Sequence, residues 1–192
     1  MSTVALVALA RPTFDLACAQ ANFDSARALL QDLGATVVGP AELVMTVEDV
    51  AAVTLPEADL HILFMASFSD ASPAVELLGS VIGPILGWSM REPGEVGERL
   101  KLNSMCGVNL AAHALMDAGQ SIRHIHGNAN EPHVRQAIAD AIKNGDEKKA
   151  AELSTKVKML PNNIPYQFQQ PQIKSRIGTL ITKVRLLDLF IH

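Results

Sequence analysis

Aromatic residues are scarce in this sequence: 4% of its 192 positions, with a single tryptophan and a single tyrosine. An interior built from it is therefore packed mainly from Val, Leu, Ile and Ala. Cysteine is also scarce. Cys18 and Cys106 stand far apart, with no C-x-x-C spacing, which argues against a zinc site and for free thiols in a reducing compartment. Positive charge is not in excess, with 16 Lys and Arg against 20 Asp and Glu and a net charge of −4. No basic stripe forms, so nucleic acid is excluded as a partner. Apolar runs stay short of the roughly 20 residues that a membrane helix needs, so no membrane partner is expected. The early run "VALVALA" has no positive charge ahead of it and is followed at once by Arg11-Pro12, so it reads as a buried strand and not as a signal peptide. A cytoplasmic protein is expected.

Several phosphate-binding signatures are missing as well. No G-x-G-x-x-G follows the first apolar run and no Walker lysine loop occurs, which excludes the dinucleotide and P-loop uses of an α/β sheet. A first loop poor in glycine argues against a flavin phosphate cradle. A phosphoacceptor receiver needs an acidic cluster after its first strand and a lysine after its fifth. Arg11 and His126-Gly127 occupy those places.

What is present is 48% hydrophobic residues in short runs that alternate with longer amphipathic ones. Residues 3–10 form a strand apolar on both faces, and 15–33 a helix closed by Gly34. "ATVVGP" is a second strand, "TVEDVAAVT" a short helix capped by Thr46, and "ADLHILFMA" a third strand. Ser72-Pro73 reads as an N-cap and first-turn proline opening a helix through Ser80. "GPILGWS" is a fourth strand. Asn103 or Ser104 caps a helix running to Gly119, and "SIRHIHG" is a fifth strand. Strict strand–helix alternation predicts an α/β fold: a flavodoxin-like, three-layer, doubly wound parallel sheet of about five strands over residues 1–130. Residues 131–160 then read as a helical hairpin broken at Gly145-Asp146. Residues 161–192 read as a proline- and amide-rich linker and the start of a missing or vestigial second domain.

In such a sheet ligands bind beyond the carboxyl ends of the strands. Those ends lead into "ARPTFD", "ASFSDAS", "WSMREPGEVGERLKLNSMCG" and "HGNANEP". Arginine, carboxylate and aromatic residues at such a rim suit a polyhydroxylated ligand: polar groups satisfy hydroxyls while Phe and Trp cover apolar faces. The candidates are Arg11, Phe68, Asp70, Trp88, Asn103 and Ser104. Each also has a structural reading: Arg11 as an edge ion pair, Trp88 as packing, and Asp70, Asn103 and Ser104 as helix caps. Cys106 reads as a small buried residue and His113 as a helix-flank residue. His124 and His126 share one face of a strand, with no carboxylate fixed beside them to complete a metal site.

Taken in order, "LARPTFD", "ASFSDAS" and "GWSMREPGEVGERLKLNSMCGVNLAAHAL" resemble the amino-terminal region of the L-fucose/L-arabinose isomerase-like family of sugar isomerases, over about residues 3–130. The resemblance implies aldose–ketose isomerisation through an ene-diol, with a divalent cation, usually manganese, gripping two substrate oxygens. It implies a homo-oligomer whose monosaccharide site lies between subunits. Arg11 would reach the neighbour's sugar hydroxyls, Phe68, Asp70 and Trp88 would line the cover, and Asn103-Ser104 would fix the loop. The family's metal ligands and catalytic carboxylates come from later domains, so the expectation is a substrate-covering and assembly domain, inactive alone and holding no Mn2+ of its own. Two other readings stand beside it. One is a non-enzymatic module binding a small sugar or small acid; the other is an oligomerisation piece docked through its apolar tail.

Overall fold

The structure, a computed structural model, describes residues 2–95 and 97–144. The elements run β1 (Thr3–Leu9), α1 (Leu16–Asp32), β2 (Thr36–Val38), α2 (Val47–Ala52), β3 (Leu60–Met65), α3 (Ala71–Leu78), β4 (Ile85–Ser89), α4 (Ser104–Asp117), β5 (Ile122–His126) and α5 (Pro132–Asn144). Strand order is β2-β1-β3-β4-β5, and every pairing is parallel. This is the flavodoxin-like doubly wound order, with its switch point between β1 and β3.

β1 and β3 are apolar at nearly every position because helices cover both faces of the sheet. Val4, Leu6 and Ala8 point to one side, where Phe23 and Leu30 of α1 and Val134 and Ile138 of α5 pack on them. Val7 and Leu9 point to the other, against Leu78 of α3 and Val108 and Leu115 of α4. The period of two along each strand thus divides the interior between two helix layers.

Local signals explain the ends of the helices. The Asp15 carboxylate accepts from the Cys18 N–H and starts α1, and Gly34, at φ 81°, takes the left-handed turn after it. At α2, Thr46 and Asp49 form the reciprocal capping box. The opening of α3 differs from the expectation. Asp70, not Ser72, occupies the N-cap position, the helix starts at Ala71, and it ends at Leu78. Pro73 still lies in the first turn, where backbone N–H groups have no intrahelical partner, so the proline fits either register equally well.

Residues 132–144, expected as the first arm of a separate hairpin after residue 130, form α5. Its buried Val134, Ala137, Ile138 and Ala141 belong to the same apolar cluster as β1 and β3. The expected second arm and tail lie outside the described residues. Among the described residues no helix is long and apolar enough to cross a membrane.

Candidate functional site

The switch point brings three of the expected residues together. Arg11 follows β1, and Phe68 and Asp70 follow β3. The Arg11 guanidinium lies 3.4 Å from the Asp70 carboxylate, with the two side chains 44% and 63% exposed. It also sits over the Phe68 ring, 5.9 Å from its centre. Phe14 adds a second ring 6.1 Å from Phe68. The loop backbones are pinned: the Arg11 N–H donates to Ser67 Oγ at 3.0 Å and the Phe68 N–H to Leu102 O at 2.7 Å. Asp70 sits at the N-cap position of α3 without making a side-chain cap bond, which leaves its carboxylate to Arg11.

Asn103 and Ser104 stand at the start of α4. Asn103 occupies the N-cap position of α4 at φ 49°, and its side chain makes no cap bond. Ser104 is buried; its hydroxyl donates to Met65 O and accepts from the Met90 N–H, joining the ends of β3 and β4. Gly107 lets α4 come close. A Cβ there would meet the Met65 side chain at 2.9 Å and the Phe68 Cα at 3.1 Å. Glu92 completes the arrangement, its carboxylate accepting from the N–H groups of Lys101, Leu102 and Asn103. The anion-seeking backbone ahead of α4 is thus filled by the protein's own carboxylate.

Trp88 departs from the expected rim position. Its side chain is fully buried, edge-on to Phe64 with ring centres 5.1 Å apart, and its indole N–H donates to Gly127 O at 2.8 Å. The reason is direction: position 88 shares its face with Leu86, toward the layer of α1 and α5. Cys106, expected to be buried, is exposed; desolvation of its sulfur and the Glu92 carboxylate still raise the thiol's pKa, which opposes a nucleophilic role. His113 lies on the exposed face of α4, 3.3 Å from Asp117.

Beyond the ends of β4 and β5, Arg91 and Glu131 form a bidentate pair at 2.7–2.9 Å. It holds the Glu131 carboxyl below, and the Arg91 guanidinium above, their ordinary ranges. On the other face of the sheet, Ser89 Oγ bonds His124 Nε2 at 2.7 Å and His126 Nδ1 at 3.0 Å. Burial, and for His124 the neighbouring His126, lower both rings to about 4. Ser89 itself is fully buried, so the triplet offers no nucleophile to a substrate. Ser67, Glu92, Gly107 and the Arg91–Glu131 pair were not singled out from the sequence. Arg91 and Glu92 lie in the charged stretch "MREPGE", while Ser67, Gly107 and Glu131 carry no comparable local signal.

No family model matches the chain. Three relatives do. It is 26% identical to the sulfoquinovose isomerase of Priestia aryabhattai, over 98% of this chain and 44% of that protein. It is 31% identical to the sulfoquinovose isomerase of Clostridium sp. (strain MSTE9), over 74% of this chain and 32% of that protein. It is 27% identical to that of Alkalicoccus urumqiensis, over 99% of this chain and 44% of that protein. The chain resembles sugar isomerases. It spans less than half the length of these relatives. Among the described residues no group of three or more His, Cys, Asp or Glu is arranged to hold a metal ion. The switch point itself carries one guanidinium, one carboxylate and two phenyl rings.

Proposed function

We propose that this chain forms the substrate-covering wall of an aldose–ketose isomerase whose sugar carries a strong acid group. The whole protein would be kin to the L-fucose/L-arabinose isomerase-like enzymes. The monosaccharide site would be completed by another subunit of a homo-oligomer or by a further part of the protein. Any manganese, with the carboxylates that move the proton between C1 and C2, would also belong there.

The observation that carries this reading is the loosely held Arg11 at the switch point. An exposed ion pair is worth about 0–1 kcal/mol, so Arg11 and Asp70, 3.4 Å apart, exchange each other for a ligand at little cost. A guanidinium binds a sulfonate through two parallel hydrogen bonds. Asp70 accepts from a ring hydroxyl, and Phe68 covers C–H groups of the sugar. Arg91, engaged on Glu131 by three short bonds, is far less available. The sulfoquinovose named in the relatives is a sulfonated hexose, which supports an anionic substrate over a neutral one.

Titration of the protein with sulfoquinovose, glucose and L-fucose, with and without Mn2+, tests the reading. Sulfoquinovose is expected to bind about tenfold or more tightly than glucose, a difference of about 1.4 kcal/mol. Arg11→Met, which keeps the apolar stem, is expected to abolish that preference. Equal affinity for the three sugars, or a preference intact in Arg11→Met, overturns it. Turnover by the purified chain alone overturns the assignment of the reactive centre to another part.

A further inference from the structure

The ends of β1, β3, β4 and β5 lie level. Leu9 is paired with Met65, Met65 with Ser89, and Ser89 with His126. Two positions further along each chain segment stand Arg11, Ser67, Arg91 and Asn128, in one row across the sheet. Bonds between neighbours hold that row together: the Arg11 N–H donates to Ser67 Oγ at 3.0 Å, and the Arg91 N–H to Asn128 Oδ1 at 3.2 Å. Neighbouring strands lie about 4.8 Å apart, which puts the backbones of Arg11 and Arg91, with β3 between their strands, roughly 10 Å from each other.

The two arginines are held in different ways. Arg11 meets Asp70 through a single bond of 3.4 Å. Arg91 gives Nε and Nη2 to Glu131, which fixes the plane and direction of its guanidinium and balances its charge. Nη1 keeps its N–H groups free, on a side chain that is 53% exposed. The Glu131 carboxylate is fully used, because Oε1 also accepts the Asn128 N–H at 2.6 Å. Asn128 is oriented as well. The Arg91 N–H requires an oxygen opposite it, so the amide NH2 is turned the other way. That Nδ2 makes no hydrogen bond, and among the described residues His61 Nδ1 is the one buried side-chain atom without a partner, so Asn128 Nδ2 is open to solvent.

We infer that Arg91 and Asn128, braced by Glu131, read hydroxyl groups at the end of the sugar away from its acid group, so that the ligand lies across the strand ends from Arg11 to Asn128. This assignment rests on the sugar-covering reading above and adds to it the direction of the sugar and two specificity residues. The free groups at this end are donors, and hydroxyl oxygens accept. Glu131 repels a second anion there, which leaves the acid group to Arg11. A site built to hydrogen-bond a hydroxyl also rejects an analogue that lacks it.

Methanesulfonate, an anion without hydroxyls, glucose, with hydroxyls and no anion, and sulfoquinovose, with both, are the probes. The side-chain N–H signals of Arg11, Arg91 and Asn128 are followed by NMR. Saturable shifts are expected at Arg11 alone with methanesulfonate, at Arg91 and Asn128 with glucose, and at all three with sulfoquinovose. Arg91→Lys, which keeps the charge and loses the planar fork, is expected to weaken sulfoquinovose and glucose by the same factor, about tenfold. The preference between the two sugars stays, whereas Arg11→Met removes it. Sulfoquinovose that moves Arg11 and leaves Arg91 and Asn128 unmoved overturns the inference while the covering wall stands. Methanesulfonate that moves Arg91 as strongly as Arg11 overturns it too. Sulfoquinovose that moves none of the three overturns the wall itself and this assignment with it. If Arg91→Lys fails to melt cooperatively, the titrations of the unaltered protein decide.

Discussion

Mild acid should weaken this protein through Ser89, His124 and His126. One hydroxyl bonds both rings, at 2.7 and 3.0 Å, and it can donate to only one of them while accepting from the other. The arrangement therefore suits two neutral imidazoles, and burial holds both at about 4 against an ordinary 6.5. Because the folded value lies below the unfolded one, the unfolded chain takes up protons first as pH falls. The stabilisation is complete above about pH 6.5 and is lost progressively down to about pH 4. At pH 5 each ring accounts for about 2 kcal/mol of lost stability. That is a large share of the roughly 5–15 kcal/mol that holds a domain together. Urea unfolding followed by the fluorescence of Trp88, the sole and fully buried tryptophan, measures it at pH 7 and pH 5. The unaltered protein should lose on the order of 3–4 kcal/mol more over that interval than a His124→Gln/His126→Gln variant. Equal losses in the two proteins, or ring resonances titrating near 6.5, would refute the reasoning.

Other perturbations have equally definite outcomes. Trp88→Ala should cost about 3–5 kcal/mol in chemical denaturation, because it empties a core site and orphans Gly127 O; a loss confined to ligand binding would place the indole at the rim after all. Gly107→Ala forces a Cβ to within 2.9 Å of Met65 and should destabilise by about 1–3 kcal/mol, with amide shifts centred on Phe68 by NMR. Glu92→Ala removes the acceptor of three backbone N–H groups. Hydrogen exchange at 101–103 should accelerate at least tenfold, as expected when about 1.4 kcal/mol of protection goes, while the β1 amides stay protected.

The layered sheet was legible in the sequence because its signals are local. Apolar runs of strand length, Thr46 with Asp49 three residues on, and Gly34 after α1 each act within a few positions. The positions of Arg11, Phe68 and Asp70 were legible for a related reason: they follow directly from strand ends, and strand ends define the switch point. Trp88 was misplaced because it was ranked by its distance along the chain from the end of β4 and not by the direction of its side chain. The alternation that pairs it with Leu86 was present in "ILGWS". What could not be read were partnerships across long stretches of chain. Ser89 meets His126 37 residues later, and Arg91 meets Glu131 40 residues later. Nothing in the chemistry of either segment alone announces its mate.

The Glu92 carboxylate, gripping the amides of 101–103, fastens the loop between them at its root. The grip on Lys101, Leu102 and Asn103 thus comes from a carboxylate that follows β4 and not from the loop's own tip. Side chains at 93 and 94 can be replaced without loosening it. A protein that must discriminate among closely similar small molecules gains from that freedom, since new preferences can be tried in this stretch while the scaffold stays as it was.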